Sequence, residues 1–142
     1  MKPLMKTFVM ALAGILLFSL GACTKKDAPD DTPGASPFHP PQWIQGSWKY
    51  QDAYVNISNT YTFTEDDIVL KSNANGHITE YSFKEYADTY EKVDENITDT
   101  EYEFTIHYIG SHSTDTYRFV LLNPQTITET AHSAVHAEYV KQ

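Results

Sequence analysis

The sequence predicts an all-β domain over residues 42–142, an antiparallel up-and-down meander closed into a barrel of about eight strands. Three observations carry this expectation. Aromatic and β-branched residues alternate with polar ones at a period of two, most clearly in Tyr102-Glu103-Phe104-Thr105-Ile106-His107-Tyr108. Clusters of turn-forming residues separate the alternating runs. A single antiparallel sheet with so many short strands must split into two layers or close on itself, and closure removes its edges. A two-sheet sandwich is the competing arrangement.

The elements follow in chain order. Residues 1–6 carry Lys2 and Lys6, and residues 7–20 are an apolar run. As a helix that run would reach ~21 Å at ~1.5 Å per residue. The bilayer hydrocarbon is ~30 Å thick, so the run is short for a spanning anchor and has the layout of a secretory signal peptide. Residues 24–41 hold five prolines in eighteen positions. Proline lacks an N–H and fixes φ, so this stretch is read as a semi-extended tether. From Gln42 on, strands are expected near 46–54, 59–65, 67–72, 77–85, 100–109, 115–122, 126–131 and 134–140. Residues 86–92 read as one more short strand or a bulge. Turns fall at Glu65-Asp66-Asp67, Asn73-Ala74-Asn75-Gly76, Gly110-Ser111-His112-Ser113 and Asn123-Pro124-Gln125.

Composition narrows the function classes. The chain has 10 Lys and Arg against 19 Asp and Glu, a formal net charge of −9. Its one arginine is Arg118. Nucleic-acid binding needs clustered cations on the phosphates, so a nucleic-acid partner is excluded. Aromatics at 13% argue against general disorder, and one cysteine excludes a disulfide scaffold.

The apolar run ends in Leu20-Gly21-Ala22-Cys23. This resembles a bacterial lipobox. The resemblance implies lipid transfer to the Cys23 thiol, cleavage after Ala22 and acylation of the new amine by palmitate or a related chain. It divides the chain into a lipoprotein signal peptide (1–22), a lipidated Cys23 with its Pro-rich tether (23–41) and the barrel domain (42–142). The alternative is an incidental cysteine in an ordinary signal peptide. Diacylglycerol plus an amide-linked chain exceeds the two signals that stable anchoring requires. Thr24 stands where an Asp would resemble an inner-membrane retention signal in Gram-negative bacteria. Its absence implies a lipid anchor in the cell outer membrane, with the membrane face left open. The charges at 25–27 and 30–31 suit a solvated linker, or a tether directing surface exposure.

Gly46-Ser47-Trp48, followed by Tyr61-Thr62-Phe63-Thr64-Glu65-Asp66-Asp67, resembles the start of lipocalin-like domains. The run from Tyr117 to Thr128 resembles the closing hairpin of small bacterial lipocalin-like lipoproteins. The resemblance implies that Trp48 plugs one barrel end, that Gly46 lets the backbone bend there, and that Arg118 packs over the indole. That pairing depends on residues 86–92 forming a strand; otherwise Arg118 is a surface charge. Loops near 53–58, 73–77, 93–99 and 123–125 would then surround the other end. Inward aromatics Tyr61, Tyr81 and Tyr102 would line a site for a small apolar ligand. The competing reading is a small barrel filled by its own side chains.

Histidines at 77, 107, 112, 132 and 136 raise a metal question, and His132 and His136 share a face at i and i+4. A third ligand is not indicated by any spacing, so no metal and no cofactor are expected. No nucleophile elbow, phosphate loop or positioned acid–base pair is present, so no enzyme is expected. The expected function is a lipid-anchored envelope lipoprotein that binds a small apolar ligand, or alternatively an envelope protein-interaction module acting as an inhibitor or assembly accessory.

Overall fold

The structure is a computed structural model describing residues 35–52, 54–130 and 137–142. The signal peptide, Cys23, most of the tether, His132 and His136 lie outside the described residues.

Nine strands form among the described residues: β1 (Gly46–Asp52), β2 (Ile57–Phe63), β3 (Ile68–Ala74), β4 (His77–Ser82), β5 (Tyr90–Ile97), β6 (Glu101–Tyr108), β7 (Thr114–Asn123), β8 (Thr126–Glu129) and β9 (Ala137–Lys141). Local chemistry sets the turns between them. Asn75 (φ 53°) and Gly76 (φ 87°) make the two-residue hairpin between β3 and β4, where both central residues need positive φ. At the β1–β2 turn, Asp52 Oδ1 accepts the N–H groups of Tyr54 at 2.8 Å and Val55 at 3.3 Å. The Thr98 hydroxyl accepts the N–H of Glu101 at 2.9 Å and so closes the β5–β6 turn.

All strands belong to one antiparallel sheet in the order β4-β3-β2-β1-β9-β8-β7-β6-β5. The predicted all-β meander is present, curled through the β1–β9 pair of first and last strands. It has nine strands where about eight were expected. The extra one is β5: residues 93–97, expected as loop, continue a strand that begins at Tyr90 with a bulge between Tyr90 and Lys92. Four acids and amides among Glu91, Asp94, Glu95 and Asn96 hid it, because such residues are depleted from strands.

The odd count fixes the topology. With every pair antiparallel, β4 and β5, the two ends of the sheet order, run in the same direction. The connection 83–89, including a 3-10 turn at Ala87–Thr89, therefore returns from one barrel end to the other. Side chains bridge this seam: Tyr81 and Tyr90 share a hydroxyl–hydroxyl bond of 2.8 Å, and Tyr86 stacks on Tyr81 at 4.5 Å.

The inner face is aromatic. Trp48, Phe63, Tyr102, Phe104, Phe119 and Tyr139 are buried, with Ile68, Ile106 and Ile127 between them. Ring centroids lie 5.1 Å apart for Phe63–Phe119 and 4.9 Å for Phe104–Tyr117. Phe38, from residues read as tether, is fully buried in the same cluster.

Candidate functional site

One barrel end carries the start of β1, the β5–β6 turn and the β7–β8 turn. The opposite end carries the turns after β1, β3 and β6. At the first end Trp48 is fully buried and its indole N–H donates to the Ile44 carbonyl at 2.6 Å. Gly46 sits at φ 116°, and a Cβ there would stand 3.3 Å from Lys141 Cε. Lys141 itself lies over the indole, Nζ 4.9 Å from the ring centroid.

Arg118 does not pack on Trp48, which corrects the expected pairing. Tyr117 and Phe119 point inward, so Arg118 between them points out. There its guanidinium donates to Glu101 Oε2 at 2.7 Å and lies 3.8 Å from Glu103. The hydrogen bond from Arg118 holds the Glu101 carboxyl below its usual range. The return of 83–89 along the seam places the β6–β7 turn at the end opposite Trp48. The same parity moves the turns at 98–100 and 124–125 to the Trp48 end, whereas 54–56 and 75–76 are at the other, as expected.

The tyrosines expected to line a ligand site are engaged with the protein. Tyr61 is 2% exposed and donates to Glu129 Oε1 at 3.3 Å. Tyr139 donates to Glu129 Oε2 at 3.0 Å, so one interior carboxylate serves two hydroxyls. Burial, then the nearby Glu129 charge, raises both phenols far above their usual range. Tyr102 is fully buried and donates to Glu95 Oε1 at 2.6 Å. Tyr81 is half-buried in the seam.

Glu95 organises a feature that the sequence reading missed. It sits on the outermost strand β5 with its side chain turned inward. Besides Tyr102, it accepts the backbone N–H of His39 at 2.8 Å and faces His39 Nδ1 at 2.8 Å. Trp43 Nε1 donates to the Thr98 carbonyl at 2.9 Å. These bonds strap residues 38–43 onto β5 and set Phe38 edge-on against Phe83, Tyr90 and Phe104. A lone aromatic inside a proline-rich stretch was the available signal.

Outside the barrel, a recess of about 610 Å3 is lined by Asp67, Val69, Glu80, Ser82, Lys84 and Glu85 along β3 and β4. Asp67 shapes its floor by accepting from Ile68 N, Ser82 Oγ and Lys84 N. Exposed apolar side chains Tyr54, Val55, Ile78 and Ile109 crown the end away from Trp48. Among the described residues no group of three His, Cys, Asp or Glu could hold a metal ion. No helix among them is long and apolar enough to cross a membrane.

No family model matches the chain, and neither a curated protein nor a solved structure matches it.

Proposed function

We propose that this chain is a lipid-anchored lipoprotein of a Gram-negative envelope whose barrel is a non-enzymatic protein-interaction module with a filled interior. The observation that carries this reading is Phe38. It completes an interior in which aromatic rings touch rings from one wall to the other. Small barrels whose side chains meet across the axis have no room for cargo. The polar groups that could orient a ligand inside, Glu95 and Glu129, already take hydroxyls from Tyr102, Tyr61 and Tyr139. What remains for recognition is the outside: turns, edges and the recess beside β4.

The anchoring half of the proposal rests on Leu20-Gly21-Ala22-Cys23 and on Thr24. Fed a palmitate analogue, cells should label the wild type and not Cys23→Ser, and label should fractionate with the outer membrane. Equal labelling of both proteins ends the lipoprotein reading. For the domain, native mass spectrometry of the protein purified from the envelope should show the bare polypeptide with its anchor. A small apolar molecule retained there and lost in Tyr102→Ala would favour the carrier reading, with Tyr61, Tyr81 and Tyr102 as its contacts. Crosslinking in intact cells should capture a protein partner.

A further inference from the structure

We propose that the free edge of β4, together with the acidic recess beside it, is a docking site for a basic extended segment of a partner protein, which adds to the sheet as an antiparallel strand. This deepens the interaction-module reading and rests on it.

The backbone shows which groups are available. In a two-residue hairpin the closing residues, here Ala74 and His77, exchange both hydrogen bonds, and bonded pairs then recur every second position. Thr79 and Tyr81 therefore bond to β3. The N–H and C=O groups of Ile78 and Glu80 point the other way, off the sheet. β4 pairs with β3 alone, and no backbone bond among the described residues takes those outward groups. His77 to Glu80 are exposed without interruption.

Proteins normally blunt such an edge, because it templates pairing with another chain. β5, the other outer strand, is blunted in three ways. It has a bulge at Tyr90/Lys92, an inward carboxylate at Glu95, and the strap of residues 38–43 bonded to Glu95 and Thr98. Among the described residues, none covers Ile78 and Glu80 on β4 in a comparable way.

The recess supplies selectivity. Its exposed acids are Glu80 and Glu85, while Asp67 at the floor already accepts from Ile68, Ser82 and Lys84; Lys84 is engaged by Asp66, and Lys71 lies 3.9 Å from Glu80. Strand addition gives affinity through the main chain, and alternate side chains entering pockets give specificity. A strand along β4 would send every second side chain toward Glu80 and the recess, so Lys or Arg at those positions complements it. A second copy of this chain pairing β4 to β4 would bring like charges at Glu80 together, which is destabilising.

The test uses the detergent-solubilised full chain and fluorescence anisotropy of short labelled peptides. A peptide alternating Lys and Val should bind, and one alternating Glu and Val should not. Glu80→Pro removes one outward N–H without touching the β3 ladder and should weaken Lys–Val binding about tenfold or more. Glu80→Lys with Glu85→Lys leaves the backbone intact and should abolish binding. Near-UV circular dichroism establishes that each variant keeps its aromatic core. Equal binding of Lys–Val by wild type and Glu80→Pro overturns the proposal. So does equal binding of an alternating Lys–Pro peptide, which has the charge but cannot form the ladder. A dimer that Glu80→Pro dissolves would assign the edge to a second copy and overturns it too. In each of those outcomes a partner crosslinked in cells would still stand, which separates failure of this edge from failure of the module reading.

Discussion

Phe38 meets Phe104 edge-to-face, with ring centroids 5.4 Å apart at an interplanar angle of 80°. One ring comes from the proline-rich approach to the barrel and the other from strand β6, next to the outermost strand β5. The interior is thus completed by a residue that belongs to no strand.

Phe38→Ala should therefore behave as a core truncation and cost about 3–5 kcal/mol in urea unfolding. It should also leave an opening among Phe83, Tyr90 and Phe104, so that the variant binds an apolar dye the wild type ignores. A cost below about 1 kcal/mol would mean that the approach segment adds little packing and that the barrel is filled without it.

Lys141, which lies over the Trp48 indole, and Arg118, which faces outward to Glu101 and Glu103, should separate sharply. Trp48→Ala removes a fully buried indole and its bond to Ile44, and should cost about 3–5 kcal/mol. Arg118→Ala breaks only outward ion pairs with Glu101 and Glu103, which solvent screens, and should barely move the melting temperature. Lys141→Glu puts an anion over the indole face and should lower the melting temperature more than Arg118→Ala does. If Arg118→Ala proved the more damaging of the two cation changes, the assignment of Lys141 to the Trp48 end would fail.

These contrasts show where sequence reading reached and where it stopped. Period-two alternation marks inward faces directly, so Phe63, Tyr102, Phe104 and Phe119 were legible as core. Hairpin chemistry at Asn75-Gly76 was equally plain. β5 was not, because its alternation is carried by Val93, Glu95 and Ile97, and the middle one is a carboxylate. An inward Glu looks outward to any hydrophobicity rule until its partners, Tyr102 and His39, are known. The path between β4 and β5 was hidden as well. An up-and-down path would run these two strands in opposite directions, whereas 83–89 returns along the seam and they run the same way, which puts the β6–β7 turn away from Trp48 and two of the four turns expected opposite Trp48 beside it. Glu129 was hidden in the same way: its role comes from Tyr61, 68 positions away in the chain.

Glu129 gives a direct measure of such a polar interior. Glu129→Ala leaves two buried hydroxyls, on Tyr61 and Tyr139, without their acceptor, at about 1–3 kcal/mol for each. Tyr139→Phe alone removes one donor and should cost less. In a double-mutant cycle the pair should be strongly non-additive, since Tyr139→Phe removes one of the groups that Glu129→Ala strands. Additive costs would show that the two side chains are independent and that Glu129 is held by something else.

The same buried phenols set the behaviour at high pH. Six tyrosines, at 61, 90, 102, 108, 117 and 139, resist ionisation, with burial as the largest cause in each. Tyr117 is pushed up to about 12, and the others lie higher. Their folded values exceed the usual phenol value of about 10, so the folded state holds protons that the unfolded chain releases. Their contribution is complete below about pH 10 and is lost progressively as pH rises above it. At about pH 11 these six should therefore add little phenolate absorbance in the native protein, whereas nearly all of the chain's ten tyrosines should absorb as phenolate in denaturant. Stability should fall steeply over the same range, and the remaining phenolate signal should appear together with loss of near-UV dichroism. Full ionisation of the tyrosines in a protein that keeps its near-UV spectrum would mean that the interior admits water to these hydroxyls, and the filled barrel would have to be given up.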